Sequence, residues 1–475
     1  MILVLECSTS SAKAMLFDPK TRVVIRSAGE PYPSDVYVGG ETGVQDADKV
    51  FRQLIRIGHA IVEDADIEAV VPCGTFHSVL VCDKTMKPRT PVYTWEYNGA
   101  KHVAAELRKS SGYVHAFYHR TGCMVHALYP AIQLMYLNRQ QGVRLDGRYL
   151  ASQSGYVFYQ LTGERCETAS TNSGGGLINI HTRDWDAETL SDIGICAAQL
   201  GRVVKFHETA PLSATGAALL GIKSGVPVLP SHPDGALNQV GSGALAEGVM
   251  TFSVGTSAAL RLSVAKPVIP DTPGTWCYLS PESWMSGAAT SGACNCVDWI
   301  KQVLFPNQPY TEIEGHPVDY KAMPYCLPFL FGERCPGWND GRQGGFYGLL
   351  ARHTPYEMYH SVLEGILFNL YQCYQVLCGV AGTPHLIQLS GGILNSARWQ
   401  QMCADIFGAD MTCAKIPQAS MMGGAVLAMA VTGYITTIAD YKVETRETVH
   451  PNPAMHALFQ ERFGKYLDFY HNVCF

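Results

Sequence analysis

The chain opens with an apolar block, ILVLE, a small polar turn from Cys7 to Ser11, and a second apolar block, AKAMLFD, ending at Asp18 and Pro19. Short apolar runs bounded by turn residues predict a β-hairpin, here with a turn made of hydroxyls. The same grammar returns in VMTFSVGTSAALRLSV, where Gly255, Thr256 and Ser257 align with Ser8, Thr9 and Ser10. A hairpin that recurs after so long an interval predicts two related domains rather than a solenoid. Asp48 to Val62 has helical spacing, while Ala69 to Val71 and Val79 to Cys82 read as short strands, so the class is α/β. Further helices are expected at Tyr356 to Leu377, Arg398 to Phe407 and Gly424 to Val431. The boundary falls near GSGALAEG, Gly241 to Gly248, which gives expected units of 1–242 and 243–475.

Composition narrows the function classes. Of 475 residues, 47% are hydrophobic and only 16% charged, which excludes a disordered chain. A net charge of -6 leaves no cationic excess for nucleic acid or an anionic membrane surface. Sixteen cysteines are scattered without a CxxC pair, the pattern of free thiols in a reducing cytoplasm, and no structural metal is expected. The opening MILVLECSTS carries no secretory signal pattern, so a cytoplasmic location is expected. Ala419 to Ala439 lacks charge for 21 residues, but Gly423, Gly424, Thr432 and Gly433 leave only AVLAMAV continuous, the length of a buried helix rather than a membrane span.

Four segments carry candidate chemistry. Two turns rich in hydroxyls and backbone N–H groups, facing each other, would cradle a polyphosphate, with Lys13 adding charge. Taken singly, each is also an ordinary tight hairpin turn. No GxxxxGK[ST] occurs, and GSGALAEG fails the spacing of a dinucleotide site. In SHPDGALNQVG, Asp234 sits between Pro233 and Gly235 in a turn expected to expose a carboxylate at the domain junction. It reads equally as a base for phosphoryl transfer or as a cap on the following helix. In LSGGILNSARWQQMCADIFG, Gly391 and Gly392 permit close backbone approach to a flat ring, or simply turn a strand into a helix.

These segments together resemble the FGGY family of carbohydrate kinases. SGGILNSARWQQMCADIFG looks like the family's adenosine motif, and GERCPGWNDGRQGGFYGL, residues 332–349, resembles its second signature. SHPDGALNQVG falls where the family keeps its catalytic aspartate, and ECSTSSAKAMLFD and SVGTSAALRL fall where it keeps two phosphate loops. The resemblance implies two actin-like, RNase H-like ATPase domains with a cleft between them that close on ATP and a sugar. It implies Asp234 as general base, with Thr9, Ser10, Lys13, Gly255 and Thr256 at the phosphates. Gly391, Gly392, Asn395 and Gly423 would surround adenosine. Magnesium would be held partly through water by Glu6 and Asp234. Two residues depart from the family pattern: Glu6 replaces Asp, and Ser8 replaces Gly in a turn that would want positive φ.

The substrate reading also rests on the resemblance. Phe76 and His77 stand where xylulose and gluconate kinases keep a Met-His pair at the sugar; His77 is a hydroxyl partner or a core histidine. Trp95 survives from a WxDxR segment, with Tyr97 and Gly99 replacing Asp and Arg, and stacks on a sugar face or packs in the core. HRTGCMVHALYPAIQLMYL and WCYLSPESWMSGAATSGACNCVDWI look like the gluconate kinase branch, with Arg120 as the candidate cation for a carboxylate. The implied activity is transfer of the γ-phosphate of ATP to a hydroxyl of a sugar acid or sugar, gluconate favoured, with xylulose or ribulose as the alternative. A sugar-binding sensor and an actin-like ATPase without sugar turnover are the readings from other classes. The expected partner is a small-molecule sugar or sugar acid, and a homodimer is a family-level expectation.

Overall fold

The ILVLE block is buried along its length as β1 (Ile2–Cys7), and the hydroxyl turn hands it to its antiparallel partner β2 (Ser11–Asp18). The computed structural model describes residues 1–413, 418–443 and 447–472. β3 (Val23–Pro31) extends the hairpin, and β4 (Ala69–Gly74) runs parallel to β1 on its other side. β5 (Ala210–Pro211) and β6 (Pro227–Val228) finish the order β5-β6-β4-β1-β2-β3, and β7 (His232–Pro233) also lies parallel to β4.

The second sheet comprises β8 (Val249–Val254), β9 (Ala258–Val264), β10 (Trp276–Leu279), β11 (Trp284–Thr290), β12 (Leu386–Gly391), β13 (Met411–Cys413) and β14 (Glu447–Val449). Its order is β10-β11-β9-β8-β12-β13-β14. From the hairpin outward, β3-β2-β1-β4-β6-β5 corresponds to β11-β9-β8-β12-β13-β14, with the same sequence of antiparallel and parallel pairings. The repeat visible in two short turns is therefore a repeat of whole sheet topology, to which the second copy adds β10.

Helices cover these sheets where apolar spacing predicts them. α1 (Ala47–Val62) buries Val50, Leu54, Ile57 and Ile61 on one face and starts at Asp46, whose side chain accepts from Lys49 N at 2.9 Å. α2 (Asp234–Gly241) follows directly on β7. In the second half, α3 (Pro355–Ala381), α4 (Ala397–Phe407) and α5 (Ala419–Val431) contain the three expected helices.

The charge-free α5 is apolar all round because it is a core helix. Met421, Ala425 and Val426 pack with Val4, Val71 and Leu237, so a helix of the second half seals one face of the first sheet. Each fully buried Met, Val or Leu side chain here contributes about 1.5–3 kcal/mol. Among the described residues no helix is long and apolar enough to cross a membrane.

Candidate active site

Strand register brings the candidate residues to one edge. β1, β4 and β7 run parallel, with Cys7 level with Gly74, and Pro233 level with Gly74. The first turn, the Thr75–His77 segment and Asp234 therefore all leave the sheet at its carboxyl end, where α/β proteins place ligands. In the second sheet Val254 is level with Gly391, which sets Gly255–Ser257 beside Gly391 and Gly392 in the equivalent position.

Asp234 is the first residue of α2 and makes no helix-capping bond; Pro233 holds the cap position, and Asp234 Oδ1 accepts from the adjacent Gly235 N at 2.6 Å. The carboxylate is half-buried rather than openly exposed. Burial, then the neighbouring Glu6 charge, pushes its pKa up to about 6, while Arg261 pulls the other way. Glu6 is itself buried, 2% exposed. It faces Lys13 across the hairpin, accepts from Lys13 Nζ at 2.9 Å, and takes a second hydrogen bond from the Ser420 hydroxyl at the start of α5. Lys13 is thus anchored to Glu6 rather than left free beside the turn. Ser8 does not strain the turn as its replacement of glycine suggested: it is not among the residues with positive φ, and its hydroxyl donates to Ser11 O at 2.8 Å.

A cavity of about 150 Å³ opens beside Asp234, lined in part by Thr9, Phe76, His77 and Trp95. His77 adopts a φ of 59°, and its Nδ1 bonds the Gly174 carbonyl. A carbonyl only accepts, so Nδ1 carries the proton and Nε2 is left as an acceptor. Burial lowers the His77 pKa to about 3, which keeps the ring neutral. The Phe76 ring stacks on His77 with centroids 5.4 Å apart. It is seated between glycines: a Cβ on Gly174 would fall 2.4 Å from it, and one on Gly235 would fall 2.7 Å from it. Trp95 Nε1 donates to Thr9 Oγ1 at 3.0 Å, and Gln45 Nε2 donates to Thr9 O at 2.7 Å. Trp95 therefore fixes the first turn as well as lining the cavity, a tie that spacing alone did not suggest.

On the other side of the site, Gly391 has φ 92°, and a Cβ there would lie 2.4 Å from Val254 O, so only glycine fits. A Cβ on Gly392 would meet Cys294 Sγ at 2.9 Å. Ser10, Thr256 and Asn395 are exposed, and a Cβ on Gly255 would meet only Ser257 O, at 3.8 Å. Gly423 departs from its expected place around adenosine. It is buried where α5 crosses α2, and a Cβ on it would lie 2.0 Å from Leu237 O, so its smallness serves helix packing.

Two residues that sequence reasoning missed complete the cavity, Arg261 from β9 and Arg334 from the GERCPGW segment. The signal for Arg261 was a charged residue inside the apolar strand AALRLSV. Arg120, the cation expected for a carboxylate, is instead occupied, part-buried in the first half, by Asp186 at 3.2 Å and Glu188 at 2.7 Å, and does not line the cavity.

The duplicated α/β fold brings its paired turns and the half-buried carboxylate together at the strand ends, where Thr9, Asp234 and Ser257 line one cavity between two domains of the same topology. Residues 1–241 match the FGGY family of carbohydrate kinases, N-terminal domain, and residues 250–431 match its C-terminal domain. The chain belongs to the FGGY family of carbohydrate kinases, phosphotransferases that act on sugar hydroxyls. It is 28% identical over 456 residues to a gluconokinase of Bacillus subtilis (strain 168), covering 91% of this chain and 88% of that one. It is 26% identical over 427 residues to a xylulose kinase of Escherichia coli (strain K12), covering 86% of each. In fold it is similar to a gluconate kinase structure from Lactobacillus acidophilus, with a TM-score of 0.92 at 24% identity over 98% of this chain and 97% of the other.

Proposed function

We propose that this carbohydrate kinase transfers the γ-phosphate of ATP to a hydroxyl of gluconate, with residues 1–242 supplying the sugar side and residues 243–475 the nucleotide side. The observation that carries the reading is Asp234, a carboxylate poised at about 6 at the strand ends beside both turns. In phosphoryl transfer the protein mainly positions the acceptor hydroxyl and removes its proton as the new bond forms. A carboxylate with that pKa is ionised at neutral pH yet more basic than an ordinary aspartate. Phe76, His77 and Trp95 hold the sugar, with His77 Nε2 accepting from a hydroxyl. Thr9, Ser10, Gly255 and Thr256 bring hydroxyls and backbone N–H groups to the phosphates from two sides, while Gly391, Gly392 and Asn395 border the adenosine.

Glu6 and Asp234 offer the hard oxygen donors a magnesium ion takes, which fits such an ion at this edge. Bound there, it would neutralise charge on the phosphates. Each Glu6 oxygen already accepts one hydrogen bond, from Lys13 and Ser420, so Glu6 would hold such an ion through its remaining lone pairs or through water.

The gluconokinase relative, similar over nine tenths of the chain, supports gluconate. The xylulose kinase relative supports a ketose as second reading. A coupled ADP-release assay over gluconate, xylulose, ribulose and glycerol tests both. ADP release that needs gluconate is the expected result. Release of ADP without any sugar returns the reading to an ATPase, and sugar binding without ADP returns it to a sensor.

A further inference from the structure

The cavity beside Asp234 contains more positive charge than the fold neutralises. Arg261 and Arg334 both line it, each with a buried Nε that has no hydrogen-bond partner. A Cβ built on Gly235 would lie 3.2 Å from Arg261 Nε, which places that guanidinium against the start of the helix bearing Asp234. Elsewhere three part-buried or buried arginines have a carboxylate: Arg108 has Asp340 at 2.6 Å, Arg342 has Glu333 at 3.2 Å, and Arg462 has Glu364 at 2.5 Å. Neither Arg261 nor Arg334 enters an ion pair among the described residues. Asp234 is the single acidic residue lining the cavity, and His77 is neutral, so two cations stand against one anion.

The hydrogen-bond inventory points the same way. Trp276 Nε1 and Thr75 Oγ1, in the same lining, are also buried without partners. The two guanidinium groups and the indole can only donate, so the missing ligand is rich in acceptor oxygens and carries negative charge.

We propose that Arg261 and Arg334 together clamp the carboxylate of an acyclic sugar acid whose acceptor hydroxyl faces Asp234. This deepens, and rests on, the kinase reading above. A planar guanidinium matches a carboxylate through two parallel N–H···O bonds, which a neutral hydroxymethyl group cannot reproduce.

Gluconate and glucitol differ only in having a carboxylate or a hydroxymethyl at one end, as do xylonate and xylitol, so each pair isolates the charge. Calorimetry on the full chain should show the wild type binding the acid at least ~30-fold more tightly than its polyol for one pair. R261Q and R334Q should each reduce that preference to less than ~3-fold, with R261K intermediate because it keeps charge but loses the fork. ATP affinity, measured on the same samples, should stay within ~3-fold and reports that each variant is folded. The clamp is overturned by a wild type without preference, or by either Gln variant that keeps it. It is equally overturned if ATP affinity falls as far as acid affinity, which would assign the guanidinium to the nucleotide phosphates. A wild type that discriminates acids yet releases no ADP would sink the kinase reading and leave the clamp standing.

Discussion

The two hairpins share one topology and divide their chemistry. In the first, Glu6 and Lys13 form a cross-strand ion pair beneath the turn, and Glu6 raises the pKa of Asp234. At the matching positions of the second, Ser253 and its cross-strand partner Ala259 carry no charge, and the turn opens with Gly255 where the first has Ser8. The first copy raises the base through Glu6, and the second opposes it through Arg261 on β9. The second also opens its turn on a glycine, which leaves its backbone accessible for close approach. Duplicating a scaffold therefore does not duplicate a site; it supplies two frames whose electrostatics diverge.

The sharpest way to break this comparison is to remove the charge that the first hairpin tunes. Asp234→Asn should lower turnover by about 10²–10⁴-fold in the ADP-release assay, with ATP binding retained by calorimetry. The same variant should be more stable than wild type at pH 8. The folded-state pKa of Asp234 is about 6 against a reference of 3.8, so its contribution to stability is fully present below 3.8 and lost as pH rises through 6. Asparagine cannot ionise, and urea unfolding should show a gain of about 1–3 kcal/mol at pH 8 that vanishes near pH 4.

Next in size is the ion pair itself. Lys13→Met leaves Glu6 buried with only the Ser420 hydroxyl, and should cost about 2 kcal/mol by urea unfolding; the figure is below that for a fully buried pair because Lys13 is part-exposed. Ser253→Ala, the matching operation in the second hairpin, should cost less than about 1 kcal/mol. Equal costs would erase the distinction between the copies.

A pH profile sharpens the same point. The kcat/KM of the wild type should fall about tenfold per unit below pH 6 as Asp234 protonates. A profile flat to pH 5 would remove Asp234 as the base. A small effect on binding belongs to Trp95→Phe, which deletes the indole bond to Thr9 and should cost about 1 kcal/mol, seen as a several-fold weaker ATP affinity.

The hairpins were legible in the sequence because strands and tight turns are local: apolar runs and small hydroxyl residues specify them within a dozen positions. Asp234 was legible because Pro and Gly on either side announce a turn, although its partial burial was not. Arg334 was not legible, and Arg261 showed only as a charge inside an apolar strand, since what marks both is the lack of a partner in three dimensions. Arg120 misled for the converse reason: its carboxylates, Asp186 and Glu188, come from a segment distant in sequence. Gly423 looked like a ligand contact and is a packing residue, because a glycine near a motif and a glycine at a helix crossing read identically in one dimension.

That crossing has a mechanical meaning. Gly241 and Gly423 let α2 and α5 touch backbone to backbone, with a Cβ on Gly241 falling 2.0 Å from Ala419 O. The rod that begins with Asp234 is thereby pinned to a rod from the opposite half, at the same α5 whose Ser420 reaches Glu6. A swing that kept this contact while narrowing the mouth would leave the aspartate near its axle and move the walls instead.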